Sequence, residues 1–182
     1  VDAIVHVVRC FEDGKVIHVE GSVDPARDID TIQTELALAD IETVMKRREK
    51  AQHLVRNGEK KYRDELEAAE ILLAHMDKGL PARTAKLTDE QRAVAEGWFL
   101  LTMKKVVYAA NIAEADIGKP EGEIPMVAAV RAIAAREGAE VLVISAKVEE
   151  DIAQLEPAEK QLFLEDLGLE KSGLDRLVTL GY

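Results

Sequence analysis

A single cysteine in 182 residues leaves Cys10 without an intrachain disulfide partner, and a reducing compartment, the cytoplasm, is the natural setting. No apolar run approaches the roughly 18 residues that cross a bilayer, and no secretory leader pattern opens the chain, so membrane spanning and export are not expected. Aromatic residues make up only 4% of the chain. Trp98 and Phe99 fall where a helix is expected and have no basic residues interleaved with further aromatics, so a core role is expected rather than a base-stacking platform. Positive charge is also in deficit: 24 Lys and Arg face 35 Asp and Glu, for a net charge of -11 and a pI near 4.9. This excludes a surface that neutralises nucleic-acid phosphates all round, although a local basic patch is still possible.

What is present suits one compact domain with an appendage: 47% apolar and 32% charged residues. The opening AIVHVVR predicts a buried strand over Ala3 to Arg9 with neighbours on both edges, which, with no initiator Met, implies further sequence upstream. Glu12 to Lys15 signals a turn, Val16 to Val19 a short strand, and Asp24-Pro25 a break. From Asp28 to about Arg56 no Pro or Gly interrupts a helical pattern. After the turn at Asn57-Gly58, Glu59 to Lys78 carries Leu66, Ala69, Leu72, Leu73 and Met76 on one stripe. Two helices joined this tightly predict an antiparallel hairpin whose polar outer part protrudes as an arm.

Thr88 before Asp89-Glu90 predicts a helix N-cap, with the helix reaching about Leu101. Beyond it come a strand at Val106 to Ala110, a helix at Ile124 to Glu137, a strand at Val141 to Ile144 and a helix at Pro157 to Leu167. This alternation indicates an α/β fold with a parallel sheet. Residues 1–27 and 80–182 are then two parts of one sheet body, and 28–79 an inserted arm.

Ligands of open parallel sheets bind at the carboxyl ends of the strands. Three loops qualify: Arg9-Cys10-Phe11, Asn111-Ile112-Ala113-Glu114 and Ser145-Ala146-Lys147. An Asn amide offers a donor and an acceptor to a purine edge or a phosphate loop. Backbone N–H groups of Ser145, Ala146 and Lys147 can read an exocyclic acceptor, and the Lys147 stem can cover the base. Alone, each motif is a common turn; together, on successive strands, they point to a base-binding site.

The segments DAIVHVVRCFED, HVEG with VDP and RDI, ELALADIETV, NIAE, ISAK and FLEDLGLEKSGLDRL resemble the Obg-like ATPases of the YchF type. The resemblance implies a P-loop NTPase of the GTPase-like G-domain class, with a coiled-coil arm, that binds and hydrolyses ATP or GTP with Mg²⁺ and acts at the ribosome. Related GTPases carry Asn-Lys-x-Asp in the first base loop, where the Asp accepts from both guanine donors. Here Ile112 replaces the Lys and keeps apolar cover. Glu114 is one methylene longer than the Asp, so an unpaired guanine donor would cost about 1–3 kcal/mol and adenine becomes competitive. The glycine-rich phosphate loop, its Mg²⁺ ligands and the Asp-x-x-Gly motif have no match and are expected upstream, and the family's ubiquitin-like TGS domain is expected downstream. No catalytic residue is therefore assigned. FLEDLGLEKSGLDRL has no catalytic spacing, and packing is its expected role.

His6 and His18 lack neighbours at metal-ligand spacing, so structural roles are expected. Arg9 fits a salt-bridged residue and Cys10 a buried thiol. Lys46, Arg47, Arg48, Lys50, Arg56, Lys60, Lys61 and Arg63 concentrate positive charge toward the arm's tip and form the candidate patch for ribosome or RNA contact, against a plainly solvated face. Two functions remain open: a nucleotide-dependent switch, expected to be monomeric, or a scaffold that docks a protein or RNA partner through its arm.

Overall fold

The computed structural model describes residues 2–13 and 21–181, so the strand expected at Val16 to Val19, and His18, lie outside the described residues. The described residues form two compact units, one of residues 3–13, 21–29 and 106–181, the other of residues 30–105.

The first unit is an α/β body. Strands β1 (Ala3–Arg9), β2 (Lys105–Asn111) and β3 (Glu140–Ile144) form one sheet in that order. β2 and β3 run parallel, with Val107 opposite Glu140 and Asn111 opposite Ile144. Helix α4 (Pro125–Glu137) connects them. Its Pro at the first turn fits a position whose N–H has no helical partner. Gly138, at φ 66°, ends the helix in the left-handed region that lets the chain reverse into β3. Val127, Val130 and Ala134 of α4 pack with Val8, Tyr108 and Ala110 of the sheet. The Tyr108 hydroxyl donates to Glu137 at 2.6 Å, which satisfies the polar end of a fully buried ring.

Among the described strands β1 lies at one end of the order, and Val5 and Val7 are 41% and 57% exposed while Val8 is fully buried. Successive residues of a strand face opposite ways. After β3 come α5 (Ala146–Ala153), α6 (Pro157–Asp166) and α7 (Gly173–Gly181). Val148, Ile152 and Leu164 form a second small core there.

The second unit is helical. Helix α1 (Pro25–Arg56) and helix α2 (Arg63–Met76) share a core of Val44, Ala68, Ala69, Leu72 and Met76. The reversal consumes more chain than the Asn57-Gly58 signal implied. Asn57, Gly58 and Glu59 donate back to His53, Val55 and Leu54, and a single 3₁₀ turn (Lys60–Tyr62) precedes α2. The last carbonyls of α1 take those N–H groups, so α2 cannot begin at Glu59.

Helix α3 (Asp89–Glu96) starts at Thr88 as expected, with a reciprocal cap: Gln91 N–H donates to Thr88 Oγ1 at 3.2 Å and Thr88 N–H to Gln91 Oε1 at 3.1 Å. It stops five residues before Leu101. Trp98 is buried beyond the helix end, whereas Phe99, at φ 55° and 77% exposed, is neither helical nor core. Residues 80–105, expected with the sheet body, sit in the helical unit because Ala82, Ala95, Trp98 and Leu100 complete the α1–α2 core.

A buried carboxylate closes this unit. Asp40 of α1, 2% exposed, accepts from Leu101 N–H at 2.7 Å, Thr102 N–H at 2.7 Å and Thr102 Oγ1 at 2.6 Å. Three donors on one carboxylate offset its desolvation and tie residues 61 and 62 positions apart. Asp40→Ala should strand three donors and destabilise the helical unit by about 3 kcal/mol, read from urea unfolding, with Asp40→Asn in between.

Candidate functional site

The pairing of β2 with β3 sets the site. With Asn111 opposite Ile144, the two strands end level and their loops leave side by side. The Asn111 carbonyl accepts from Cys10 N–H at 2.8 Å, and Ile112 N–H donates to the Ile144 carbonyl at 2.8 Å. The backbone on both sides of the Asn111 side chain is thus held by neighbouring strand ends.

That side chain bridges the loops. Asn111 Oδ1 accepts from the Ala146 N–H at 2.9 Å, an end of helix α5 that has no intrahelical acceptor. Ser145, 4% exposed, is the N-cap of α5, its Oγ accepting from Val148 N–H at 3.5 Å. Expected as an open loop, Ser145-Ala146-Lys147 is the beginning of a helix. The signal was present: a capping Ser, Glu149 in the first turn, and Val148 and Ile152 four apart.

Glu114 opens a 3₁₀ turn through Asp116, and its carboxylate meets Lys147 Nζ at 3.1 Å, with both side chains largely exposed. That hydrogen bond holds the Lys147 ammonium above its ordinary pKa. Ile112 is 5% exposed and belongs to the core with Val8 and Tyr108, so most of its surface serves packing. The rest lines a pocket of about 120 Å³ beside Ile117, Ser145 and Val148, with Glu121 and Arg176 among its polar groups. This is below the roughly 300 Å³ at which small-molecule sites usually begin, so the pocket cannot enclose a whole nucleotide.

The third loop is different. Arg9 Nε donates to the Phe11 carbonyl at 3.1 Å, and its guanidinium lies 4.8 Å from the centre of the Phe11 ring. Cys10 is buried, and desolvation raises its thiol to about 11. His6 lies 5.7 Å from the Tyr108 ring, its pKa lowered by burial against the pull of Asp28 and Glu137.

The C-terminal segment packs as expected. Glu149 of α5 accepts from Gly173 N–H at 2.6 Å and Leu174 N–H at 3.2 Å, capping α7. A Cβ on Gly173 would stand 2.5 Å from Ile144 Cγ2, so only glycine fits. Arg176 donates to the Val143 carbonyl at 2.9 Å. The site strand, the site helix and α7 are thereby joined.

The basic residues sit at the α1–α2 reversal. Lys46, Lys50, Arg56, Lys60, Lys61 and Arg63 are exposed, while Arg47 and Arg48 are half-buried. Lys46 pairs with Glu42 at 2.6 Å and Lys61 with Glu59 at 3.6 Å. Among the described residues no three His, Cys, Asp or Glu are grouped to hold a metal ion. No described helix is long and apolar enough to cross a membrane.

No protein-family model matches the chain. Across 182 residues, however, it is 45% identical to the ribosome-binding ATPase YchF of Bacillus subtilis. Over its whole length the chain is similar to YchF-type ATPases. It covers 50% of that relative, and 49% of the Haemophilus influenzae ribosome-binding ATPase YchF, to which it is 40% identical over 181 residues. The chain thus spans about half the length of the curated YchF relatives it matches. The solved Schizosaccharomyces pombe YchF GTPase superimposes on 100% of this chain and 50% of its own, with a TM-score of 0.83 and 27% identity. The α/β fold expected from sequence is therefore the fold of a YchF neighbour.

The Cys10 thiol yields a pH prediction. Folded, it keeps its proton to about pH 11, against an ordinary value of 9.0, so between these values the unfolded chain sheds its proton first. Cys10 should therefore lower stability as pH rises through this window and have no pH effect below it. Urea unfolding across pH 8 to 11 should show a shallower decline for Cys10→Ala than for the wild type, in roughly that interval.

Proposed function

We propose that this chain is the base-binding part of a YchF-type nucleoside triphosphatase, a cytoplasmic monomer that binds and hydrolyses ATP, and also GTP, as a ribosome-associated switch. The observation that carries the reading is the Asn111–Ala146 bridge. It joins the two strand-end loops proposed to hold a purine, in the place where open parallel sheets bind ligands. Relatives with 40–45% identity to this chain are named ribosome-binding ATPases, and a solved neighbour is named a GTPase.

In this reading Asn111, Ile112 and Glu114 face the base from one side, and Ser145, Ala146 and Lys147 from the other. Asn111 Oδ1 is engaged by Ala146, which leaves Nδ2 as the donor available to a ligand. The Ala146 N–H is spent on that bond, so Lys147 N–H, at the start of α5, is the backbone donor left to read an exocyclic acceptor. Phosphates and Mg²⁺ would be held by a glycine-rich loop outside this chain, and hydrolysis would switch a partner interaction.

Residues 28–79 would act as the arm, with Lys46 to Arg63 as its contact patch for ribosome or RNA. The clustering of exposed cations in a chain of net charge -11 also supports a second reading, a scaffold that docks its partner without nucleotide.

Calorimetric titration of the full-length protein with ATP and GTP in Mg²⁺ separates the two. The switch reading expects ATP to bind at least as tightly as GTP. Asn111→Ala should weaken both by about tenfold, the usual scale for one lost polar contact, with the melting temperature little changed. Absence of binding by the wild type would leave the scaffold, and GTP-only binding would overturn the argument from Glu114.

A further inference from the structure

The length of Glu114 explains a poor fit to guanine only while its carboxylate stays where it is. A Glu side chain has one more rotatable bond than Asp and can swing, and an exposed carboxylate free to move would still find the two guanine donors. The structure shows what restrains it. Both backbones are fixed: Glu114 by the turn in which Asp116 N–H donates to Ala113 at 3.0 Å and Ile117 N–H to Glu114 at 3.2 Å, and Lys147 by the Ala146–Asn111 bond and the Ser145 cap. Between these fixed points, among the described residues, the contact that sets the direction of the Glu114 carboxylate is Lys147 Nζ at 3.1 Å.

We infer that Lys147 is a specificity-positioning residue, which draws the Glu114 carboxylate across to the α5 side of the site and so withholds it from a guanine edge. This rests on the base-binding reading above and deepens it. Adenine loses nothing by the arrangement, because its Watson–Crick edge offers one amino donor and an acceptor at N1, and that acceptor would face an unpaired carboxylate if Glu114 swung inward. Guanine loses the acceptor for two donors. The restraint is weak, since the pair is exposed, with Lys147 and Glu114 side chains 72% and 47% accessible. It therefore biases the choice of base without excluding guanine, and salt should relax it.

The test uses the full-length protein and measures ATP and GTP affinities in Mg²⁺ for the wild type, Lys147→Met and Lys147→Arg, at low and high salt. Met keeps the apolar stem over the base and removes the charge, and Arg keeps the charge. Lys147→Met should tighten GTP relative to ATP by roughly two- to fivefold, the scale of an exposed ion pair. Lys147→Arg should keep the wild-type ratio. Raising salt should move the wild-type ratio toward that of Lys147→Met and leave the Met variant's ratio where it was. An unchanged ratio in Lys147→Met, or equal weakening of both nucleotides, overturns the inference and leaves the base site standing. Failure of the wild type to bind either nucleotide overturns the base site, and the inference with it.

Discussion

Everything proposed for this chain depends on one register. β2 and β3 pair in parallel with Asn111 opposite Ile144, so the residue that ends one strand lies level with the residue that precedes Ser145 on the other. Successive residues of a strand face opposite ways, and a slip by one would turn Asn111 away from Ala146 and push Ile112 out of the core. The register is itself held by the body beneath it. Tyr108 and Ala110 of β2 pack with Val127, Val130 and Ala134 of α4, and Gly138 ends that helix where β3 must begin. The fit of Gly173 against Ile144 and the capping of α7 by Glu149 then fix the far side of the same strand end.

The helical unit has its own means of closure. A three-donor carboxylate at Asp40 and the core that Val44 of α1 shares with Ala68, Ala69, Leu72 and Met76 of α2 hold its turns together. Outside that core the helices near the reversal are polar, with cations and carboxylates paired in exposed positions of small energetic weight. Such a surface has little part in folding, which leaves its charge available for recognition.

Charge works differently at the two ends of the chain's chemistry. Near the α1–α2 reversal, exposed cations stand in an otherwise acidic protein, and their effect is a local field. At the strand ends the exposed ion pair of Lys147 with Glu114 contributes little to stability, and its proposed effect is to bias which way a carboxylate points.

The strand and helix periods were legible in the sequence: β1, β2, β3 and α4 lie within a residue or two of where apolar runs and caps placed them, because each is specified by neighbours along the chain. The two candidate loops were legible for the same reason, as strand ends followed by polar motifs. Tertiary structure decided what local pattern cannot encode. It ended α3 at Glu96 so that Trp98 could be buried. It also turned Asn111 Oδ1 toward a helix N-terminus and drew Ile112 into the core. These outcomes depend on partners 30 or more residues away, whose approach is set by packing and sheet register, and only the folded chain brings them together.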